Sequence, residues 1–299
     1  MSDATPDEGR ATPDFSGYSE SDAVAELKRL LNAGEAEHAR AACAALSRRF
    51  PENATIRQTA QKLEQRDHVA AASRRFPGPP YQEWLKWLHT TLKPEGYLEI
   101  GVESGASLQM AEAETWSIGI DPQPKIAHQV DTWVKIFAME SDAFFEKHDV
   151  VSELGGRSLD LAFIDGLHTF DQALKDFINV EQNAHDGTVV VFHDTYPVTP
   201  ITASRSRKSI FWLGDTWKVV LILRHYRPDL CVFTIPTYPS GLTVVKNLKP
   251  GSCELRSNFQ DIVSDWMPLS FTDEQDGLAD QLNALANDEA SVKARLQDG

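Results

Sequence analysis

The sequence has little of what supports a disulfide-stabilised, zinc-binding or membrane-spanning protein. Its 299 residues include three cysteines, Cys43, Cys231 and Cys253, none in the CxxC spacing of zinc and redox motifs. We therefore expect reduced thiols, as in the cytoplasm. No apolar run approaches the roughly 20 residues that span a bilayer, and residues 1–20 lack the apolar segment of a secretory signal. These features predict a soluble, cytoplasmic protein.

Basic residues are also scarce. Lys and Arg number 29 against 44 Asp and Glu, which gives a net charge of -15. Nucleic-acid binding needs a basic face, so we expect neither a nucleic-acid nor a membrane partner. Much of the acidity lies near the two ends, and the middle of the chain is more balanced.

The first 75 residues divide into a tail and a helical region. Residues 1–20 are polar and acidic and predict a disordered tail. Residues 21–75 have helical periodicity, with Ser21 or Asp22 as the expected first cap, and resemble a single tetratricopeptide-type hairpin. Because the unit is not repeated, we favour a helical cap or an arm for homo-oligomerisation over a solenoid that recruits other proteins.

The segment Phe76–Pro80 (FPGPP) marks a boundary, since its prolines cannot continue a helix. Between residues 81 and 250, short apolar strands alternate with helical patterns, which predicts an α/β, Rossmann-like, doubly wound and mostly parallel seven-stranded sheet. The predicted strands are Tyr97–Gly101, Trp116–Asp121, Val134–Ala138, Leu159–Asp165, Thr188–His193, Cys231–Ile235 and Leu242–Lys246, the last two forming a hairpin. The predicted helices are Ser107–Ala113, Asp142–Lys147, Phe170–Asn183 and Thr216–His225. Residues 251–299 read as an acidic, partly helical segment, with helices at Asp276–Ala286 and Glu289–Leu296.

A glycine-rich turn, GVESGAS, follows the first strand of this sheet. In a doubly wound sheet the ligand lies outside the carboxyl ends of the strands, where Gly101 and Gly105 allow a close backbone approach. Asp121 ends the second strand, where an acidic residue can accept hydrogen bonds from ribose hydroxyls. Glu103 replaces the second glycine of the dinucleotide fingerprint and opposes a pyrophosphate. This favours S-adenosylmethionine over a nicotinamide cofactor, although the glycines alone would also suit a plain tight turn.

The motif ExGxxxG, followed by a hydrophobic residue and Asp121, resembles the first two motifs of class I S-adenosylmethionine-dependent methyltransferases. The stretch DGLHTFDQALKDF…DGTVVVFHD resembles the methyltransferase-24 type, and the likeness extends from about Tyr97 to Val245. The resemblance implies S-adenosylmethionine as cofactor, with Ser141 and Asp142 at the adenine. The predicted cofactor-binding residues are Glu99, Gly101, Gly105, Ser107, Asp121, Ser141, Asp142 and Asp165.

A second group of polar residues follows the fourth and fifth strands: Asp165, His168, His193 and Asp194. Adjacent parallel strands bring these residues to one edge, where we expect His168 and Asp165 to be catalytic, His168 as a general base. Metal-dependent O-methyltransferases of the catechol type are similar at this edge, and the resemblance implies a divalent ion on Asp165, His193 and Asp194. Histidine among the ligands leaves open Mg²⁺ or a softer ion. Without an ion, Asp165 and Asp194 would orient His168 and the acceptor.

The loop after the fifth strand carries Arg205, Arg207 and Lys208. These cations fit either a solvated surface or an anionic acceptor. The favoured hypothesis is an O-methyltransferase for a small hydroxylated acceptor, such as a sugar or a secondary metabolite. The alternatives are a non-catalytic methyltransferase-like protein that docks through its N-terminal helices, and a nicotinamide dehydrogenase, which Glu103 disfavours.

Overall fold

The computed structural model describes residues 15–272 and 277–297, so most of the predicted disordered tail lies outside the described residues. The chain divides after Val69 into two compact units. Among the described residues, no helix combines the length and the apolar composition needed to cross a membrane.

The first unit is helical. It contains α1 (Glu20–Asn32), α2 (Ala36–Arg49) and the first part of α3 (Ala54–Arg75). Its core is formed by Phe15, Ala23, Leu27, Leu30, Ala39, Ala42, Cys43, Leu46, Ile56 and Leu63. The expected cap of α1 at Ser21 or Asp22 is wrong. Ser19 is the N-cap, because its hydroxyl accepts from the Asp22 amide at 3.3 Å while the Asp22 carboxylate accepts from the Ser19 amide at 3.2 Å.

The second unit contains the seven-stranded sheet. Its strands are β1 (Gly96–Ile100), β2 (Trp116–Asp121), β3 (Trp133–Ala138), β4 (Leu161–Ile164), β5 (Val189–His193), β6 (Cys231–Ile235) and β7 (Leu242–Lys246). The strand order is β3-β2-β1-β4-β5-β7-β6, and β7 runs antiparallel to both β5 and β6, whereas the other pairs are parallel. The predicted doubly wound sheet is therefore confirmed, and every predicted strand falls within two residues of an observed one.

Helices and loops cover both faces of this sheet. They include α4 (Tyr81–Leu92), α5 (Ser141–Lys147), α6 (Val150–Glu153), α7 (Phe170–Gln182), α8 (Lys218–Tyr226), α9 (Glu254–Ser257), α10 (Phe259–Trp266), α11 (Leu278–Gln281) and α12 (Glu289–Gln297). Successive side chains of a strand point to opposite faces. Accordingly, Leu98 and Ile100 of β1 pack into one apolar cluster and Tyr97 into the other.

Two predicted helices differ from the structure. Ser107–Ala113 contains only a 3₁₀ turn at Leu108–Met110, since the chain must return to pair Trp116 with Glu95 at the start of β2. The predicted helix Asp276–Ala286 is reduced to Leu278–Gln281, and residue 276 lies outside the described residues. The following residues extend along the edge strand β6, where Leu285 donates to the carbonyl of Thr234 at 2.9 Å.

Candidate active site

The carboxyl ends of β1, β2, β4 and β5 border a cavity of about 620 Å³. This volume lies within the range of small-molecule sites, about 300–1,000 Å³. Eight of the predicted site residues line it: Gly101, Asp121, Ser141, Asp142, Asp165, His168, His193 and Asp194. The topology therefore brings together residues that lie far apart in the sequence.

The glycine turn crosses the chain after β4 at Gly101. This residue has φ 91°, and a Cβ atom there would lie 2.0 Å from the carbonyl oxygen of Asp165. Only glycine fits such a contact. The turn is fastened to β2, since Asp121 accepts hydrogen bonds from the amides of Glu103 at 2.8 Å and Gln123 at 2.7 Å. Glu103 adopts φ 44°, a conformation that favours glycine, although the sequence has a carboxylate there.

Three of the predicted cofactor residues, Glu99, Gly105 and Ser107, are absent from the cavity lining. Glu99 is fully buried and accepts hydrogen bonds from the Tyr97 hydroxyl at 2.6 Å and the Ser107 hydroxyl at 2.5 Å. Its burial raises the pKa of Glu99 to about 8. Gly105 faces Ile126. In this structure the hydrogen bond from Ser107 to Glu99 fastens the end of the turn to β1.

Ser141 and Asp142 line the cavity at the start of α5 and are tied to α7. The Ser141 hydroxyl donates to Asp176 at 2.6 Å, and the Gln172 amide donates to Asp142 at 3.0 Å. Burial raises the pKa of Asp176 to about 6. Gln172 and Asp176 also line the cavity and were not predicted. Their spacing of four residues, which puts both on one face of α7, was the available signal.

Two carboxylates and two imidazoles alternate at the other end of the cavity. His168 lies 3.5 Å from Asp165 (Nε2 to Oδ1) and 3.1 Å from Asp194 (Nδ1 to Oδ2). His193 Nδ1 lies 3.2 Å from Asp165 Oδ1 and 3.4 Å from Asp194 Oδ1. Each histidine therefore bridges the same two carboxylates, and we call these four residues the His-Asp cluster.

Charge within the His-Asp cluster favours protonated histidines. Burial lowers the pKa of His168, but the charges of Asp194 and Asp165 outweigh it and raise that pKa to about 10. The pKa of His193 is also raised, since both carboxylates outweigh its burial. Burial opposes the ionisation of Asp165, yet the two histidines hold its pKa below the usual range.

Residues that sequence reasoning missed hold the cluster in place. The buried Ser240 hydroxyl donates to Asp194 and lies 3.4 Å from His193 Nε2. The Tyr81 ring lies against His193 at 4.2 Å between centroids, and the Trp212 ring stacks on His168 at 5.3 Å. Ser240 reaches the site because β5 and β7 pair with His193 opposite Leu242. No local pattern in the sequence signals that contact.

The loop before α8 passes directly over His168. Gly214 has φ 63°, and a Cβ atom there would lie 1.7 Å from the His168 carbonyl oxygen. The Asp215 amide donates to the same carbonyl at 3.1 Å. The Asp215 side chain does not cap α8. Its carboxylate instead accepts from the Phe170 amide at the start of α7, at 3.1 Å, because α8 begins only at Lys218.

A cation could be held by Asp165, His168 and Asp194, whose ligand atoms all lie within 4.8 Å of one another. The predicted set had His193 in the place of His168. Two carboxylates and one imidazole are suitable ligands for a divalent ion such as Mn²⁺, Fe²⁺ or Zn²⁺. An ion bound to both carboxylates and His168 would occupy the imidazole that was predicted to act as a base.

Residues 98–195 match the family model described as "Methyltransferase domain". The matched segment runs from β1 to just beyond β5 and contains every predicted cofactor, catalytic and metal residue. Together with the sheet order, this match confirms the resemblance to class I methyltransferases that the sequence indicated. A search of curated protein sequences finds no match.

Several solved structures are similar in fold at low sequence identity. One is the O-methyltransferase TomG from Streptomyces achromogenes, in complex with SAM, with 15% identity, 61% of this chain and 88% of that chain covered, and a TM-score of 0.45. Another is an O-methyltransferase from Bacillus cereus, in complex with SAH, with 13% identity, 61% and 87% covered, and a TM-score of 0.45. A putative O-methyltransferase from Klebsiella pneumoniae has 15% identity, 61% and 89% covered, and a TM-score of 0.43.

Proposed function

We propose that this protein is an S-adenosylmethionine-dependent O-methyltransferase that acts on a small hydroxylated acceptor, such as a sugar or a secondary metabolite. One observation carries the proposal: a single cavity joins the glycine turn and Asp121 to the His-Asp cluster. The first end suits a nucleoside, and the second end suits a hydroxyl group that must lose a proton.

The chemistry of the cavity supports this cofactor over a dinucleotide. Asp121 accepts the ribose hydroxyls, and Ser141 and Asp142 lie at the adenine. Carboxylates of Glu103, Glu140 and Asp142 line the same cavity, and they would repel a pyrophosphate. S-adenosylmethionine carries a positive sulfonium and a positive ammonium, which these carboxylates tolerate. Glu99 and Ser107 hold the turn in position through the hydrogen bond between them, and Gly105 allows its left-handed backbone.

Methyl transfer is an in-line displacement in which positioning does most of the work. The acceptor oxygen forms a bond to the methyl carbon while the bond from that carbon to sulfur breaks, leaving a neutral thioether. His168 takes the hydroxyl proton, and Asp165 and Asp194 orient its ring. An imidazole accepts a proton only when it is neutral, and the neighbouring sulfonium charge favours the neutral form.

A divalent ion, where present, would be held by Asp165, Asp194 and one of the two histidines, and it would lower the pKa of the acceptor hydroxyl. With an ion on His168, the base role of that residue is lost. The two arrangements are therefore alternatives. Methyl transfer measured after treatment with EDTA, with and without added Mn²⁺ or Mg²⁺, separates them: the base mechanism predicts a rate that EDTA leaves unchanged.

Isothermal titration with S-adenosylhomocysteine tests the proposed function. We expect wild-type binding, and binding at least tenfold weaker in Asp121→Asn, because one oxygen that accepts from ribose becomes a donor. His168→Asn should bind S-adenosylhomocysteine as wild type does, but transfer methyl groups about 10²–10⁴-fold more slowly, the usual contribution of a general base. Absence of S-adenosylhomocysteine binding at high micromolar concentration would overturn the proposal.

We also propose a location, an oligomeric state and a division into domains for this enzyme. We propose a cytoplasmic enzyme whose helical N-terminal region, residues 21–75, mediates homo-oligomerisation, with the catalytic domain at 81–250 and an accessory segment at 251–299. Light scattering on the full chain and on Ala42→Arg, a change in the core of the helical unit, tests the oligomer. A monomeric wild-type protein would contradict it.

A further inference from the structure

The basic loop between β5 and α8 presents one cation to the cavity. Arg207 is the only Arg or Lys among the cavity-lining residues in the described part of the chain. Arg205 forms ion pairs with two residues outside the cavity lining, Asp171 at 2.9 Å and Asp215 at 3.5 Å. Lys208 is exposed and does not line the cavity. The loop therefore contains one guanidinium that faces the site and two cations that do not.

Arg207 is held close to the catalytic end. Its Nη2 donates to the Ile210 carbonyl at 3.3 Å, and its Cζ lies 5.9 Å from the centre of the Trp212 ring. The same Trp212 ring stacks on His168 at 5.3 Å between centroids. Arg207 makes no ion pair with any described residue. Most of its five donors are thus available to a ligand that reaches His168.

Local charge at this end of the cavity permits an anion. The carboxylates of Asp165 and Asp194 each lie within 3.5 Å of imidazole nitrogens of His168 and His193, so each already has partners within the cluster. Of the carboxylates that line the cavity outside the cluster, those of Glu103, Asp121, Glu140 and Asp176 make no ion pair with a described residue, and all four belong to the end proposed for the cofactor. A guanidinium matches the geometry of a carboxylate or phosphate group better than that of a neutral hydroxyl.

We propose that Arg207 binds an anionic group, a carboxylate or a phosphate, of the hydroxylated acceptor, and so selects acidic acceptors. This inference rests on the proposed function and adds the chemical class of its substrate. The reacting hydroxyl lies at His168, and the anion lies at Arg207, whose Cζ is 5.9 Å from the centre of the Trp212 ring that stacks on His168. Arg207 is a specificity-determining residue in this arrangement, and it takes no part in proton transfer.

The test uses the full chain saturated with S-adenosylhomocysteine and three probes of one scaffold: glucose, glucuronate and glucose 6-phosphate. Their dissociation constants are measured by isothermal titration. We expect at least one anionic probe to bind at least tenfold more tightly than glucose, and the pair of anions shows whether the carboxylate or the phosphate is preferred. Arg207→Gln should abolish the preference, Arg207→Lys should restore part of it, and the matched control Lys208→Gln should retain it.

The outcomes separate the two proposals. If S-adenosylhomocysteine does not bind, the proposed function fails. If it binds normally, the inference about Arg207 is overturned by equal affinity for the three probes, by failure of both anions to bind, or by a preference that survives in Arg207→Gln. An equal loss in Lys208→Gln would also overturn it, because the effect would then be one of general loop charge.

Discussion

Gly101 and Gly105 lie in the same turn, but the structure requires glycine at the two positions for different reasons. A Cβ at Gly101 would meet the backbone of Asp165, whereas a Cβ at Gly105 would meet only side chains, those of Ile126 at 3.5 Å and Val130 at 3.9 Å. We expect Gly101→Ala to lose both fold stability and S-adenosylhomocysteine binding, because two backbone segments must separate. Gly105→Ala should cost only about 1–2 kcal/mol, the price of a left-handed conformation, and should retain binding. Denaturant unfolding and isothermal titration check both variants, and equal effects would contradict this interpretation.

The raised pKa of Glu99 predicts that the stability of the fold depends on pH in a specific way. Its pKa is raised from 4.5 to about 8 by burial, so between these values the folded protein retains a proton that the unfolded chain has lost. The free energy of unfolding should therefore fall as pH rises through this window. Glu99→Gln removes the titration and should be more stable than wild type at pH 8, by a few kcal/mol since one pKa unit corresponds to about 1.4 kcal/mol.

The measurement compares denaturant unfolding of wild type and Glu99→Gln at pH 5 and pH 8 without cofactor. The difference between the two proteins isolates Glu99 from the other titrating groups. If the difference in unfolding free energy between wild type and Glu99→Gln is the same at pH 5 and pH 8, Glu99 ionises normally in the folded protein.

Individual site residues could be predicted where position along a strand determines their location. Asp121 ends a parallel strand, Asp165 and Asp194 each follow one, and the carboxyl ends of such strands meet at one edge. Ser240 and Tyr81 could not be predicted, because they reach the His-Asp cluster through long-range packing, from the turn before β7 and from the start of α4. Nor did the sequence indicate that Glu99 and Ser107 would bond to each other instead of facing the cavity.

At the scale of elements, buried strands were the most predictable feature. Their continuous apolar runs reflect burial on both faces, which is a local signal. The predicted helix Ser107–Ala113 does not form, for a non-local reason: the chain must turn back to start β2. The antiparallel hairpin of β6 and β7 was predicted from its short link. The insertion of β7 between β5 and β6, which delivers Ser240 to the site, depends on the whole sheet.

A buried ion pair lies at the start of α8 beside the site, and its removal should be costly. Asp215 is paired with Lys218 at 3.0 Å, and both side chains are almost fully buried. Asp215→Ala leaves the Lys218 ammonium without its partner and should destabilise the fold by about 3–5 kcal/mol. Adding Lys218→Met should recover much of that loss, since no unpaired charge then remains. Denaturant unfolding measures both, and a double variant less stable than Asp215→Ala would contradict the argument.

At the scale of the whole molecule, the apolar residues form separate cores on the two sides of Val69. The cluster of the helical unit uses residues between Phe15 and Leu63, whereas the two clusters of the sheet use residues from Ala72 onward. Every described cavity-lining residue near the His-Asp cluster comes from the second unit. Folding of the catalytic unit and construction of its site therefore depend on residues after Val69.

This separation predicts that the chain can be shortened without loss of the cofactor site. A protein of residues 70–299 should fold cooperatively and bind S-adenosylhomocysteine within about threefold of the full chain, because its cores and its cavity are complete. Isothermal titration and thermal unfolding of both proteins provide the measurement. The full chain with Leu46→Asp, which disrupts only the core of the helical unit, is the matched control and should bind equally well. Loss of binding in the shortened chain, with binding retained in Leu46→Asp, would mean that residues 1–69 contribute to the catalytic unit directly.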